Sequence, residues 1–489
     1  WAISDGEAEW GVTALSAITE MDAGPVWGTR TFPLPATPLR KSALYAGLVT
    51  DAAVELALEV AEKAAQPDFV PGPPDLDRAP GRPRPTMSQA DRAFSWSDPT
   101  AHVLRRIRAA DGAPGVRAEL AGLALSVFDA HDGDAQLPEA QRDGEPGSIV
   151  LRRNGAVLVR TGDGAVWIGH ARPVPGSDTE PRVKLPAATL LGDRIAAVPE
   201  ALDPVAGDTG GRREISYRRH GDVGVLTFDF YNGAVSTGQC HRLAGALRTA
   251  VAQDTRVLLL QGGEVFCNGI DLNVIEARRD PAAEAWRNIE AIDDVCREII
   301  TCTGQLVVAA VGGNAGAGGV TLALGADQVL LRAGVVLNPH YRTMGLFGSE
   351  YWTYVLPRRV GEHRAAQLTE ECLPLGAMDA VEIGLADAVL PGDRAAFDAA
   401  VLTHAHALAE HEQLPLWLAA KARVRDDDEK RRPLETYRVR ELAEMSHDIF
   451  DDRSGFAAAR RAFVTKQRPV PASRTTAGAA PDRTRARVG

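Results

Sequence analysis

Residues Val311–Asp327, VGGNAGAGGVTLALGAD, place five glycines between Gly312 and Gly319. A short apolar run precedes them and predicts a buried strand, and an apolar run without an acid follows and predicts a helix. The stretch is not a P-loop, because no Gly-Lys-Ser or Gly-Lys-Thr follows, and Thr321 stands where a dinucleotide fingerprint needs its third glycine. The pattern therefore favours an oxyanion hole, in which a backbone N–H at a helix N-terminus binds a carbonyl oxygen.

A second turn of the same kind lies about 50 residues upstream, in LLLQGGEVFCNGIDLNVI, Leu258–Ile275. Its predicted strand ends at Gln261, and Phe266–Leu272 leads into a helix. Either glycine turn alone could serve only to join a strand tightly to a helix. Two such turns, each after a buried strand, can supply the pair of N–H groups that an oxyanion needs.

These two turns resemble the motifs of the crotonase, or enoyl-CoA hydratase/isomerase, family over Ile215–Leu390. VFCNGIDL resembles the F-x-x-G-x-D-L turn, and the stretch from Val307 to Leu330 resembles the glycine-rich segment that ends in aspartate. The resemblance implies an acyl-CoA ligand whose thioester carbonyl binds the N–H groups of Asn268 and Gly318. It also implies that the following residues of the two turns bind the coenzyme A thioester: Cys267, Gly269, Asp271, Leu272, Gly316 and Gly319.

The sequence departs from that family at its catalytic acids. Thr321 occupies the position of the first hydratase glutamate, and the region of the second reads LNPHYRTMGLFGSEYW, with His340, Tyr341 and Glu350. Two carboxylates activate water for addition to an enoyl group, so ordinary hydration is not expected. We expect Tyr341 to donate a proton or hydrogen bond and Glu350 to act as a base if burial tunes it. The alternatives are a structural role for His340 and Tyr341, and a helix-terminal charge for Glu350.

The N-terminal part resembles the methionyl-tRNA and folate-dependent formyltransferases. GVTALSAITEMDAGPV, Gly11–Val26, matches their G-V-T…D-x-G-P segment, which implies that Asp22 is the catalytic aspartate. A turn aspartate is the alternative. Gln89–Ala130 and Pro146–Pro173 resemble the C-terminal barrel of that family. Its catalytic Asn and His lie upstream of Asp22, so we expect this chain to lack an N-terminal segment and to hold an incomplete folate site.

A formyltransferase part followed by a crotonase part resembles the HypX/HoxX-type [NiFe]-hydrogenase maturation proteins over residues 1 to about 470. The resemblance implies formyl transfer from 10-formyltetrahydrofolate to coenzyme A, and decarbonylation of formyl-CoA to CO and CoA. The CO would become a ligand of the [NiFe] site, with the hydrogenase large subunit or its maturation proteins as partners. Two alternatives are a crotonase acting on another acyl-CoA, as hydrolase, isomerase or lyase, and a non-catalytic CoA-binding scaffold for hydrogenase assembly.

The expected fold class is α/β plus β, and 489 residues suggest about three domains. From Ile215, a predicted hairpin is followed by alternating helices and strands, which indicates a layered β/α domain. The expected divisions are part of a formyltransferase α/β domain (1–66), a linker (67–86), a small antiparallel, OB-like β-barrel (87–198), a second linker (199–212), a crotonase ββα-spiral domain (213–395), C-terminal helices (396–470) and a disordered tail (471–489).

Composition excludes several classes of function. The net charge of −11 argues against a nucleic-acid partner, and the longest apolar runs are far too short to cross a membrane. The five cysteines show no zinc spacing, and their odd, scattered set fits reduced thiols in the cytoplasm. We therefore expect a cytoplasmic protein without a metal site.

Overall fold

The structure is a computed structural model that describes residues 1–37, 39–73, 84–174, 183–201, 203, 205 and 211–467. Parts of the two predicted linkers, 74–83 and residues 202, 204 and 206–210, lie outside the described residues. The predicted tail, 471–489, lies outside them as well.

The first unit packs a hairpin against a helix. Its elements are α1 (Ala2–Asp5), β1 (Glu9–Leu15), β2 (Val26–Pro33), α2 (Lys41–Leu44) and α3 (Thr50–Ala64). β1 and β2 pair antiparallel. Helix α3 buries Leu56 against the hairpin, where a Cβ on Gly28 would lie only 2.9 Å from the Leu56 side chain. A π-helical turn, Tyr45–Val49, lies between α2 and α3.

The second unit is a six-stranded antiparallel sheet, with the strand order β3-β4-β7-β6-β5 and β8 beside β7. Its strands are β3 (Val116–Leu120), β4 (Leu123–Asp132), β5 (Ile149–Arg153), β6 (Ala156–Arg160), β7 (Ala165–Pro173) and β8 (Leu185–Pro186). Its helices are α4 (Gln89–Arg92), α5 (Thr100–Ala109) and α6 (Ala187–Leu191), with 3-10 turns at Asp134–Gln136, Glu139–Gln141 and Gly192–Ile195. α5 and the sheet share one apolar core, which includes Val103, Ile107, Val127 and Ile168.

The third unit is built on a six-stranded sheet with the order β17-β14-β12-β11-β10-β9, in which only β9 and β10 pair antiparallel. Its strands are β9 (Ile215–His220), β10 (Val223–Phe228), β11 (Val257–Gly262), β12 (Leu306–Val311), β13 (Ala315–Gly316), β14 (Gln328–Arg332), β15 (Val336–Asn338), β16 (Leu375–Gly376) and β17 (Ala388–Leu390). Its helices are α7 (Thr237–Val251), α8 (Leu272–Glu276), α9 (Pro281–Ile300), α10 (Gly318–Leu324), α11 (Trp352–Val360), α12 (Glu362–Glu371) and α13 (Ala377–Glu382), with 3-10 turns at Tyr231–Gly233 and Arg342–Met344. The predicted hairpin and alternation of helices and strands are confirmed.

Both faces of this sheet are buried. Successive side chains of a strand point to opposite sides, so one strand contributes to the core on each face. Leu258 and Leu260 of β11 lie in the core beneath α7 and α9. Val257 and Leu259 of the same strand lie in a second core, on the other side of the sheet. This explains why the strands read as continuous apolar runs in the sequence.

The last unit consists of four helices, α14 (Arg394–Glu410), α15 (Leu414–Arg431), α16 (Leu434–Ile449) and α17 (Phe456–Thr465). α14 covers the second face of the sheet through Phe397 and Val401. α16 returns to the opposite side, where Met445 and Ile449 pack in one apolar cluster with Tyr341. None of the helices in the described part of the chain is long and apolar enough to span a membrane.

Candidate active site

The two glycine turns lie side by side at the carboxyl ends of two central strands of the main sheet. Their strands, β11 and β12, are parallel neighbours, so both turns leave the same edge. The N–H of Gly316 donates to the Cys267 carbonyl at 2.9 Å, and a Cβ on Gly319 would overlap that same carbonyl. Glycine at 319 therefore permits the close approach of the two backbones.

The structure corrects one half of the predicted oxyanion hole. The N–H of Asn268 donates to the Gly233 carbonyl at 2.7 Å, so it is not available to a substrate. Two residues later, the N–H of Ile270 has no hydrogen-bond acceptor within the described part of the chain, and neither has the N–H of Gly318 at the start of α10. A Cβ on the intervening Gly269 would lie 3.4 Å from the Gly318 nitrogen. Ile270 and Gly318, one from each turn, thus each have an N–H that could bind a carbonyl oxygen.

The other turn residues have mainly structural contacts. The Cys267 thiol is fully buried, and burial raises its pKa to about 12, which disfavours a thiolate nucleophile. The Asp271 carboxylate caps α8 by accepting from the N–H groups of Asn273 and Val274 at 3.0 and 3.1 Å. Leu272 is the first residue of α8, and it lies beside the apolar cluster that contains Tyr341.

The structure brings Thr321, Tyr341 and Glu350 together beneath the second turn. The hydroxyls of Thr321 and Tyr341 lie 2.8 Å apart, and both residues are buried. The Glu350 carboxyl lies against the Cα of Gly318, in the space that a Cβ there would need. The Glu350 carboxyl therefore lies beside Gly318, and the Tyr341 phenol is hydrogen-bonded to both Thr321 and Glu350.

The electrostatic surroundings tune the pair toward proton transfer near neutral pH. Burial raises the pKa of Glu350 to about 7, although hydrogen bonds from Tyr341 and Ser349 lower it in part. Burial and the neighbouring Glu350 raise the pKa of Tyr341 well above its ordinary value. Glu350 can thus exchange a proton near pH 7, while Tyr341 stays protonated.

Glu350 adopts an uncommon backbone conformation. Glu350 and Tyr351 have φ angles of 62° and 60°, in the left-handed region that side chains other than glycine disfavour. The N–H of Glu350 donates to Asp293 at 2.7 Å, and that of Tyr351 donates to Glu441 at 2.9 Å. The carboxyl points inward from just before α11 and is only 2% exposed, so the alternative of a solvated helix-terminal charge does not hold.

Two predicted site residues lie apart from this cluster. The imidazole of His340 is half-buried, and its side-chain hydrogen bond goes to Thr343 at 3.0 Å. Burial lowers its pKa, so it is neutral at pH 7. Asp22 is exposed in the turn between β1 and β2, with a φ of 57°, which agrees with the turn alternative.

Sequence reasoning missed the acids that surround the Glu350 backbone. Asp293 lies on α9, while Glu441 and Asp448 lie on α16, and all three are buried. The signal was present in α16, where Glu441, Met445 and Asp448 follow a helical spacing of four and three residues on one face. A buried stripe that mixes acids with a methionine indicates polar partners beneath it.

Comparisons with known proteins cover both parts of the chain. Residues 221–470 match the enoyl-CoA hydratase/isomerase family, and residues 86–180 match the formyl transferase C-terminal domain. The methionyl-tRNA formyltransferase of Roseiflexus castenholzii is 31% identical over 196 residues, which span 39% of this chain and 60% of that enzyme.

Two similar proteins match nearly the whole chain. The hydrogenase maturation factor HoxX of Bradyrhizobium diazoefficiens is 42% identical over 478 residues, which cover 97% of this chain and 81% of that protein. The crystal structure of HypX from Aquifex aeolicus in complex with tetrahydrofolic acid is 38% identical, with a TM-score of 0.89 over 95% of this chain and 81% of that chain. The chain therefore belongs to the HoxX/HypX family of hydrogenase maturation factors, with a formyltransferase C-terminal domain followed by an enoyl-CoA hydratase/isomerase domain.

Proposed function

We propose that the crotonase part of this chain splits formyl-CoA into CO and CoA, and that the formyl group comes from 10-formyltetrahydrofolate. The observation that carries the proposal is the buried Tyr341–Glu350 pair beside the free Gly318 N–H, with Thr321 in place of a hydratase acid. Decarbonylation consumes no water, so it needs one proton acceptor rather than the two acids of a hydratase.

The residues present fit a thioester. The N–H groups of Ile270 and Gly318 offer two donors to a carbonyl oxygen. Apolar side chains surround the site, namely those of Ile270, Ala317, Met344, Phe347 and Trp352. A small acyl group bound there would be shielded from water, which strengthens each hydrogen bond to the developing negative charge.

In the proposed reaction, the ionised Glu350 carboxylate takes the formyl proton. The electron pair of the C–H bond stays on carbon as the lone pair of CO, and the pair of the C–S bond leaves with sulfur as the CoA thiolate. The proton then returns from Glu350, through the Tyr341 hydroxyl, to the thiolate. Formyl-CoA thus yields CO and CoA with no other reactant, and Glu350 and Tyr341 end as they began.

The folate step rests on family membership, because HypX of Aquifex aeolicus is described in complex with tetrahydrofolic acid. In this chain, Asp22 would manage protons as the formyl group leaves the folate nitrogen for CoA. The product CO would be delivered to a maturing [NiFe]-hydrogenase large subunit or to a partner maturation protein. We also propose that the reaction takes place in the cytoplasm.

The direct test supplies formyl-CoA to the purified protein and follows CO by the spectral shift of reduced haemoglobin. We expect CO from the wild type and none above the blank from Glu350→Gln. The matched control is Glu444→Gln, an exposed acid on α16 that pairs with Arg453. If the wild type gave no CO above the buffer blank, the proposal would fail. Turnover of acetyl-CoA or crotonyl-CoA without CO would indicate a different crotonase, and CoA binding without any turnover would indicate a scaffold.

A further inference from the structure

The loop that carries Glu350 has its successive backbone N–H groups bound by side chains. The donors and their acceptors are Phe347 to Asp448 at 2.7 Å, Gly348 to Met445 at 3.1 Å, Ser349 to Glu350 at 3.1 Å, Glu350 to Asp293 at 2.7 Å and Tyr351 to Glu441 at 2.9 Å. No regular secondary structure supplies these bonds. Four of the five acceptors come from other elements, three of them from α16, so these elements set the conformation of the loop.

Glu441 makes more of these contacts than its neighbours do. One carboxyl oxygen accepts from the N–H of Tyr351, and the other accepts from both the N–H and the hydroxyl of Thr353, the N–H at 2.8 Å. Its side chain is fully buried, although a glutamate is rarely buried without a partner. Glu441 thus binds both sides of the point where the chain leaves the left-handed conformation and enters α11.

If Glu441 only stabilised the fold, it would not need to hold Glu350 and Tyr351 in the left-handed conformation. The left-handed conformation at Glu350 and Tyr351 is disfavoured for both side chains, so it persists only where surrounding contacts hold it. That conformation turns the Glu350 carboxyl inward against Gly318. If the loop relaxed, the carboxyl would leave the oxyanion turn without any change to the two glycine turns themselves.

We propose that Glu441 is a positioning residue of the active site, which holds Glu350 against Gly318 by binding the backbone of Tyr351 and Thr353. The inference rests on the proposed function of Glu350 as the base. It extends the site to the C-terminal helix α16, which the sequence assigned to a separate helical region.

The test compares Glu441→Gln and Glu441→Asp with the matched variants Glu444→Gln and Glu444→Asp. Burial raises the pKa of Glu441 to about 8. The aspartate keeps an ionisable carboxyl group but withdraws both oxygens by one methylene, so it separates positioning from the ionisation of that carboxyl. We expect both Glu441 variants to lower kcat for formyl-CoA, of the order of 10- to 100-fold, with KM little changed. The Glu444 variants should behave like the wild type.

A second measurement does not depend on turnover. The protonated Glu350 carboxyl is titrated by infrared difference spectroscopy against Glu350→Gln, in the wild type and in each variant. The ionisable groups around Glu350 are Tyr341, Asp293, Glu441 and the buried thiols of Cys240, Cys267 and Cys296, with Arg438 beyond Asp293. Positioning predicts that both Glu441 variants move the midpoint from about 7 toward the ordinary glutamate value, because the carboxyl gains access to water.

Two outcomes would overturn the proposal: an unchanged midpoint in both folded Glu441 variants, or a shift in Glu441→Gln alone, which would mean that only the charge matters. If the Glu441 variants do not fold, Thr353→Ala removes one of the three donors, and it should shift the midpoint in the same direction by a smaller amount. An unshifted midpoint there would count against the proposal. Absence of CO from the wild type would refute the proposed function, while the titration would still decide the role of Glu441.

Discussion

The carboxyl group of Glu350 occupies the space that a Cβ atom on Gly318 would need. Gly318 therefore serves two purposes: its N–H is free to bind a carbonyl oxygen, and its lack of a side chain leaves room for Glu350 beside it. The proposed proton acceptor and the proposed oxyanion donor lie next to each other because residue 318 has no side chain.

Gly318→Ala should consequently displace Glu350 while keeping α10, because alanine favours a helix. We expect the rate of CO release from formyl-CoA to fall by roughly 100-fold or more. The control is Gly304→Ala, since a Cβ at Gly304 meets no atom within 4 Å. Equal rates for the two variants, both with native circular dichroism, would show that the close approach at Gly318 has no catalytic role.

The rate of CO release should rise with pH through a midpoint at about 7. Glu350 must be ionised to accept the formyl proton, and burial raises its pKa to about 7. The expected profile is a loss of activity as pH falls from 8 to 6, measured as kcat at saturating formyl-CoA. A profile that is flat over this range, or midpoints near 4.5, would mean that Glu350 is not the titrating base.

The same pKa shift predicts how stability depends on pH. The pKa of Glu350 is about 7 in the folded chain and about 4.5 when unfolded. As pH rises, the unfolded state therefore loses this proton at a lower pH than the folded state does. The contribution of Glu350 to the free energy of unfolding therefore decreases as pH rises from 4.5 to 7, by about 3 kcal/mol in total. Glu350→Gln lacks this proton, so its stability relative to the wild type should increase between pH 5 and pH 8. Denaturant titration at both values measures the difference, and an equal gap at the two pH values would contradict it.

Tyr341→Phe should lower kcat by roughly 10²- to 10⁴-fold, because the variant loses the group that passes the proton to the leaving thiolate. The hydrogen bond from Tyr341 lowers the pKa of Glu350, so its loss should also move the midpoint of the pH profile above the wild-type value. The pH dependence of kcat measures both effects. Tyr45→Phe, at an exposed position in the first unit, is the control. A variant with normal kcat and an unmoved midpoint would remove Tyr341 from the mechanism.

The parts of the site that could be predicted from sequence are those set by local backbone geometry. Glycine spacing in the two turns predicted that the turns lie together, which the structure shows, whereas an oxyanion site that does not add water stays a prediction. The donor in the first turn was assigned wrongly to Asn268, because the acceptor that occupies its N–H belongs to Gly233, a distant segment. Glu441 escaped notice for the same reason, since its partners Tyr351 and Thr353 lie on another element.

The final prediction concerns Arg40, which joins the first unit to the other two. Its guanidinium lies 3.5 Å from Asp129 of β4 and 3.0 Å from Glu264, just before the Cys267 turn, and its side chain is only 12% exposed. Arg40→Ala would remove one partner from the buried Asp129, which still contacts Arg212, and the partner of Glu264, whose side chain is 38% exposed. We expect a loss of about 2 kcal/mol in the free energy of unfolding, since a hydrogen bond to a charged group stabilises a fold by ~1.5–3 kcal/mol.

Arg30→Ala is the matched control for Arg40, because Arg30 pairs with Glu59 on the surface and its side chain is 46% exposed. Its cost should stay below about 1 kcal/mol. Denaturant titration compares the two variants, and hydrogen exchange locates the effect. In Arg40→Ala, the amides of Phe266 and Gly316, which bind across the two glycine turns, should exchange faster than in Arg30→Ala. Equal costs and equal exchange would show that Arg40 does not link the first unit to the two glycine turns.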